Sequence, residues 1–349
     1  MQYRLIKPFT ETYVPYFKSR PILFWSSAFV AATAVTVIVG LAQGEVGTRY
    51  IGYLSILNIG GILLIPIGLR LCLRLVLDWA RSLGSFVSIN DPDRLKGWYN
   101  HHLSFFEGSR VMVLVATVWA CVALFAYKRD GFFDPYGATG QVWAAIVLFV
   151  AAFLAGCGLW AMVAMARAVH RLGVEFSGVI VVTDGRFGIL STGRMLAQCW
   201  AIIGVIWFVY VLSAVHLADV PATLQQAFLS NGVVFMALPS LPMVIISFFG
   251  AQISLHEAML QYKRSEVSHL EHFFRKATPD DLTNIPKEKQ ELIEFLQKQL
   301  HEAEKLPEWP FTLGALLSVS RSVAITLLPI LLKAMLALNH LTLVGAEGI

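Results

Sequence analysis

Apolar residues along this chain fall into long unbroken runs, not the alternating or three-and-four spacing of a water-soluble fold. A helix needs about 20 predominantly apolar residues to cross the hydrocarbon core of a bilayer. Six segments qualify: 22–42, 50–69, 111–127, 142–166, 197–217 and 233–255. A seventh apolar stretch, 313–344, is interrupted by Arg321, Pro329 and Lys333.

The polar positions between these runs are sorted by charge. Residues 1–21 carry four Lys and Arg, 70–110 six, 167–196 four and 256–312 eight, whereas the intervening connections carry one, two and none. Lys and Arg accumulate on the cytoplasmic side of membrane proteins. The pattern predicts a multi-pass inner (plasma) membrane protein with its N-terminus in the cytoplasm. The C-terminus is external if the seventh segment spans.

Composition agrees. The chain of 349 residues is 56% hydrophobic and 14% charged, against about 45–50% and about 25% in soluble domains. That excludes a soluble globular protein, a disordered chain and a disulfide scaffold. The net charge of +4 is accounted for by the cytoplasmic rim, so no nucleic-acid partner is expected. Cys72, Cys121, Cys157 and Cys199 lie in or beside apolar segments, none in a paired motif. They read as small buried hydrophobes.

The predicted fold class is an all-α polytopic integral membrane protein with six transmembrane helices, a seventh at 313–344, and a mostly helical cytoplasmic module containing one β-hairpin. Its order is a cytoplasmic segment 1–21, transmembrane hairpins 22–69, 111–166 and 197–255, cytoplasmic pieces 70–110, 167–196 and 256–312, and the last segment 313–349. No breaker follows the second span until Gly84, so a helix over 50–83 is expected to run on past the bilayer, with Arg70, Arg74, Asp78 and Arg81 on one face. The fourth span continues through Arg167, His170 and Arg171, and the sixth through His256 and Glu257 to Lys276. Between residues 179 and 190, two apolar runs flank Asp184-Gly185, a strong hairpin signal. In the long sixth connection, Thr278 before Pro279 reads as an N-cap. A second amphipathic helix is expected from Pro286 to Lys305, with Leu292, Ile293, Leu296, Leu300 and Ala303 on its apolar face. That helix either packs on its cytoplasmic neighbours or mediates oligomerisation. The motif Lys18-Ser19-Arg20 has counterparts at Gly108-Ser109-Arg110, Thr192-Gly193-Arg194 and Val319-Ser320-Arg321. This places Arg321 at the inner interface.

Chemistry-bearing residues are sparse. Arg70, Arg74, Arg81, Arg167 and Arg171 are candidates for binding lipid headgroups or an anionic ligand. Asn58, Pro239, Pro242 and Lys333 are candidates for a pore or hinge. The two prolines break or kink the sixth span. Lys333 falls near mid-membrane if the seventh segment spans, and snorkels to water if that segment lies along the interface. Glu266, His269 and His272 have ligand types at helical spacing, but lack the further carboxylates of a di-iron centre. No phosphate loop or nucleophile elbow is present, and no cofactor is expected. The first six spans carry no charge at their centres, which argues against an ion-driven transporter. The leading expectation is a non-enzymatic, homo-oligomeric pore or channel gated by the cytoplasmic helices. The alternative is a scaffold or receptor subunit engaging a cytoplasmic protein through 286–305. A membrane metal enzyme acting on lipid or quinone stands third.

Overall fold

A computed structural model describes residues 21–43, 51, 54–55, 58–83, 92–103, 110–134, 137–176, 190–216, 242–278, 286–325 and 327. All regular structure among these residues is helical. Long runs rich in Ala, Val, Leu and Ile and free of internal Pro form α1 (Pro21–Ala42), α4 (Arg110–Arg129) and α5 (Ala138–Glu175). Helix α2 (Asn58–Ser82) opens with a π-helical stretch, Asn58–Leu64. Helix α7 (Pro242–Ala277) contains another, Ile245–Gly250. The remaining helices are α3 (Pro92–His102), α6 (Leu190–His216), α8 (Lys287–Glu304) and α9 (Leu313–Ile325).

Among the described residues, five helices, α1, α2, α4, α5 and α7, are long and apolar enough to cross a membrane. The parts of α6 and α9 whose side chains are described, Leu190–Ile206 and Leu313–Ile325, are apolar but shorter. The protein is thus an all-α, multi-pass membrane protein. Helices α2, α5 and α7 run uninterrupted from apolar sequence into charged sequence, α5 over 38 residues and α7 over 36. At 1.5 Å per residue α5 is about 57 Å long, well beyond the roughly 30 Å hydrocarbon core. The β-hairpin expected at 179–190 lies outside the described residues, except for Leu190, which begins α6.

Two kinds of packing hold the helices together. At membrane depth the contacts are made by small residues. Ala116, Ala120 and Ala123 of α4 meet Ala152 and Cys157 of α5. A Cβ on Gly61 would collide with Ala151, and one on Gly156 with the main chain of Ala116. Close approach of this kind replaces the hydrophobic effect, which does not operate between helices in lipid. The outer faces carry exposed Val30, Ile38 and Leu41 on α1 and Leu114, Val118 and Phe125 on α4, as expected of lipid-facing surface.

The largest apolar core lies instead at the junction where the long helices leave their most apolar stretches. It joins Val76, Trp79 and Leu83 of α2, Trp98 of α3, Val169 and Leu172 of α5, Trp200 of α6, Leu255 and Met259 of α7 and Val319 of α9. Here α5 and α7 cross so closely that a Cβ on Gly173 would strike the backbone of Ser254 and Leu255. The Ser254 hydroxyl donates to the His170 carbonyl at 2.8 Å.

Candidate functional site

Four groups of residues stand out, two of them at this junction, one within the spans and one on the α7–α8 pair. The first ties α3 to the end of α5. His102 is 5% exposed, and its Nε2 lies 3.0 Å from Glu175 Oε1. Arg94 donates to the Glu175 carbonyl at 2.7 Å and lies over the Phe176 ring, 5.0 Å from its centroid. Trp98 packs edge-on against Trp79 at 6.3 Å and Phe176 at 6.4 Å, and its ring lies 5.5 Å from that of His102. Burial lowers the His102 pKa below its ordinary 6.5, against the raising effect of Glu175. The neutral ring then donates from Nε2 to the carboxylate, which leaves Nδ1 as a buried acceptor without a partner.

The second group lies within the spans. Thr36 Oγ1 accepts from Asn58 Nδ2 at 3.0 Å and from Trp143 Nε1 at 2.9 Å, and donates to the Ala32 carbonyl at 2.8 Å. One hydroxyl thus joins α1, α2 and α5. Asn58 is fully buried at the start of its π-helical turn, and its Oδ1 has no partner. The second π-helical turn has a parallel arrangement. Trp200 Nε1 donates to Ser247 Oγ at 3.1 Å, and fully buried Gln252 donates to the Phe248 carbonyl while its Oε1 is unpartnered. Isolated π-turns mark places where a helix departs from regular register, frequently at functional sites.

The third group fastens the chain after α8 onto α7. The His256 ring stacks on Trp309 at 3.9 Å and 9°, and its Nδ1 donates to the Glu308 carbonyl at 2.6 Å. Lys263 bonds Glu308 at 2.9 Å and holds that carboxyl below its ordinary range. The Pro310 carbonyl then accepts the Gly193 amide at 3.0 Å, and Phe311 sits where a Gly193 side chain would go. A further tie joins Trp79 of α2 to Thr192 of α6 at 2.9 Å.

The fourth is the pair α7–α8 itself. Ile293, Leu296 and Leu300 are half-buried and Ala303 buried on the side of α8 that packs on α7. Leu292, expected on the same face, is 48% exposed, and Phe295 is 56% exposed. Phe273, toward the end of α7, is 45% exposed, with the rings of His269 and His272 against it at 4.6 and 6.1 Å.

The residues singled out in the sequence fall as follows. Arg74, Arg81, Arg167 and Arg171 are exposed and Arg70 is half-buried, all near the junction. Arg81 pairs with Asp78 at 2.8 Å. Pro242 is the first described residue of α7, whereas Pro239 and Lys333 lie outside the described residues. Glu266 is half-buried and His269 and His272 are exposed on α7. Among the described residues no group of three or more His, Cys, Asp or Glu converges as a metal site. Thr278 closes α7, its hydroxyl donating back to the Phe274 carbonyl at 2.8 Å, and the residues it was expected to cap as an N-cap, from Pro279, lie outside the described residues. Sequence reading missed His102 with Glu175, and Thr36 with Trp143, because each contact joins positions 73 or 107 residues apart. The Asn58-Ile59-Gly60-Gly61 string was the one local signal of the first π-turn. Compared with protein-family models, curated proteins and solved structures, the chain gives no match.

Proposed function

We propose that this chain is a non-enzymatic, oligomeric membrane subunit of the scaffold or receptor type, whose α7–α8 hairpin engages a cytoplasmic protein. The observation that carries this reading is the apolar surface left over on the hairpin. Ile293, Leu296, Leu300 and Ala303 face α7, yet Phe273, Leu292 and Phe295 remain exposed on helices rich in charge. These exposed apolar side chains on charged helices are where we place the docking surface. Because α7 is continuous with a membrane-spanning helix, an event at the hairpin is mechanically joined to the bundle. The test is Leu292→Glu combined with Phe295→Glu in the full chain, with partners captured by cross-linking in native membranes. The expected result is loss of a stoichiometric partner with unchanged membrane insertion and unchanged melting. An identical set of cross-linked partners in wild type and variant rejects the reading.

A gated pore is the second reading, and the two π-turns with their buried amides favour it, since such turns let a helix shift register. Flux of ions or small solutes from liposomes containing the intact protein tests it, and silence under every condition applied counts against it. With either reading go six spans, α6 being the additional one, a seventh over 313–344, a cytoplasmic β-hairpin at 179–190, and residence in an inner membrane with the Lys- and Arg-rich side in the cytoplasm.

A further inference from the structure

Sulfur-bearing side chains meet at one place in the bundle. A slot of about 150 Å³ lies between α2 over 65–76, α5 over 155–165 and α6 over 200–206. Cys72, Met162 and Met165 line it. The Cys72 thiol lies 3.9 Å from the Cys199 carbonyl, and the two thiols are hydrogen-bonded to each other. Met162, Met165 and Cys199 are buried and Cys72 is half-buried.

The register of the helices brings these sulfurs to one depth. A Cβ on Gly61 of α2 would meet Ala151 of α5, and a Cβ on Gly158 of α5 would meet Leu69 of α2. The two helices therefore run side by side in the same direction, with Leu69 level with Gly158. Cys72, three residues past Leu69, is level with Ala161 and Met162. Met165 starts about one turn further on, and a long side chain in a helix leans back towards the N-terminus. Met162 and Met165 are three apart and so share a face.

These donors select the ion. Among the described residues, no side chain lining the slot offers an oxygen or an imidazole. Calcium and magnesium need oxygen ligands. Zinc fills four positions with thiolate, imidazole or carboxylate, and only the two thiols are at hand. Thiolate and thioether together favour Cu(I). Charge leads to the same ion: a buried charge is costly unless paired, and one monovalent cation with one thiolate is neutral.

We infer that this slot binds one Cu(I) ion, held by the Cys72 thiolate and the thioethers of Met162 and Met165, with the Cys199 thiol beside the bound sulfur. On binding, the Cys72 S–H bond breaks, a Cu–S bond forms and the proton leaves to water, while the copper stays Cu(I). The site lies inside the bundle and does not depend on what the α7–α8 hairpin engages. The full-length protein, reduced and free of any tag, is titrated under argon in detergent micelles with Cu(I) buffered by bicinchoninate. One ion per chain should leave the chelator with release of one proton, and copper-edge X-ray absorption should show sulfur neighbours alone. Loss of an outer-shell partner costs a metal site about 10–100-fold in affinity, so Cys72→Ser should cost at least that. Met162→Leu with Met165→Leu keeps the packing volume. It should weaken binding by about 10–100-fold with unchanged melting, which reports an intact bundle. Cys121→Ser, at an exposed cysteine, should bind as the wild type does. Equal binding by wild type and Cys72→Ser overturns the inference, as does unchanged affinity in the double methionine variant. So do nitrogen or oxygen neighbours at the copper, equal competition by Zn(II), or loss of the ion in Cys121→Ser.

Discussion

Thr36 uses one hydroxyl oxygen to satisfy two N–H donors on two other helices, one from buried Asn58 and one from half-buried Trp143. Thr36→Val keeps the shape and removes the acceptor. Orphaned buried donors cost about 1–3 kcal/mol each in soluble proteins, and inter-helix hydrogen bonds in membranes average about 0.6 kcal/mol. A loss of about 1–2 kcal/mol is therefore expected in unfolding titrations in mixed micelles, with Thr36→Ser close to wild type. His102 makes a second prediction. Its ring is neutral when buried, and it faces Glu175 and Arg167 of α5 and its own neighbour His101. Released α3 takes up a proton near the ordinary pKa of 6.5, and docked α3 only at lower pH. Docking is thus fully stabilised above 6.5 and is lost as pH falls through the docked value. Relative to the intrinsic exchange rate at each pH, protection over 92–103 should fall on acidification while that of α4 stays constant, and His102→Gln should flatten the profile. Unchanged protection across that range rejects this. Neither residue announced itself in the sequence. Thr and His occur throughout the chain, and only the fold shows which ones share a contact.

Helix lengths were far more legible than helix contacts. The extension of α2 past Arg70 and of α7 to Ala277 followed from apolar periodicity and the absence of Gly or Pro. The exposed face of Arg74, Asp78 and Arg81 followed from their spacing. By contrast, the π-turns depend on buried partners across the bundle, and the exposure of Leu292 depends on the angle at which α8 meets α7. Small residues illustrate the same limit. Gly61, Gly156 and Gly158 look alike in sequence, but only the first two sit against another helix's main chain or Cβ. Gly61→Leu and Gly156→Leu should therefore lower the unfolding midpoint markedly, overpacking being worth about 1–3 kcal/mol or more. Gly158→Ala should leave it within error.

For the molecule as a whole, charge and hydropathy carried most of the information that sequence alone held. They separated an uncharged bundle from a charged module, because the bilayer enforces that sorting at every crossing. They did not reveal that the largest core lies at the boundary between the two. That core draws on six helices, each contributing a few residues such as Trp79, Trp98 and Trp200, and no single segment displays it. The proposed topology has its own test. Reporter fusions after Ala277 and after Lys305 should both read cytoplasmic, whereas a fusion at Ile349 should read external. A cytoplasmic signal at Ile349 would mean that 313–344 does not span.

The close crossing of α5 and α7 at Gly173 and Ser254 makes α7 a lever with a fixed fulcrum. From Ser254, α7 runs forward 23 residues to Ala277, and its described residues reach back 12 to Pro242. At 1.5 Å per residue, a tilt of about 5° moves Ala277 by about 3 Å and Pro242 by about 1.6 Å in the opposite direction. Work done at Ala277 would thus reach Pro242 with roughly half the travel and twice the force. The π-turn at Ile245–Gly250 lies between Pro242 and Ser254, where that force is delivered.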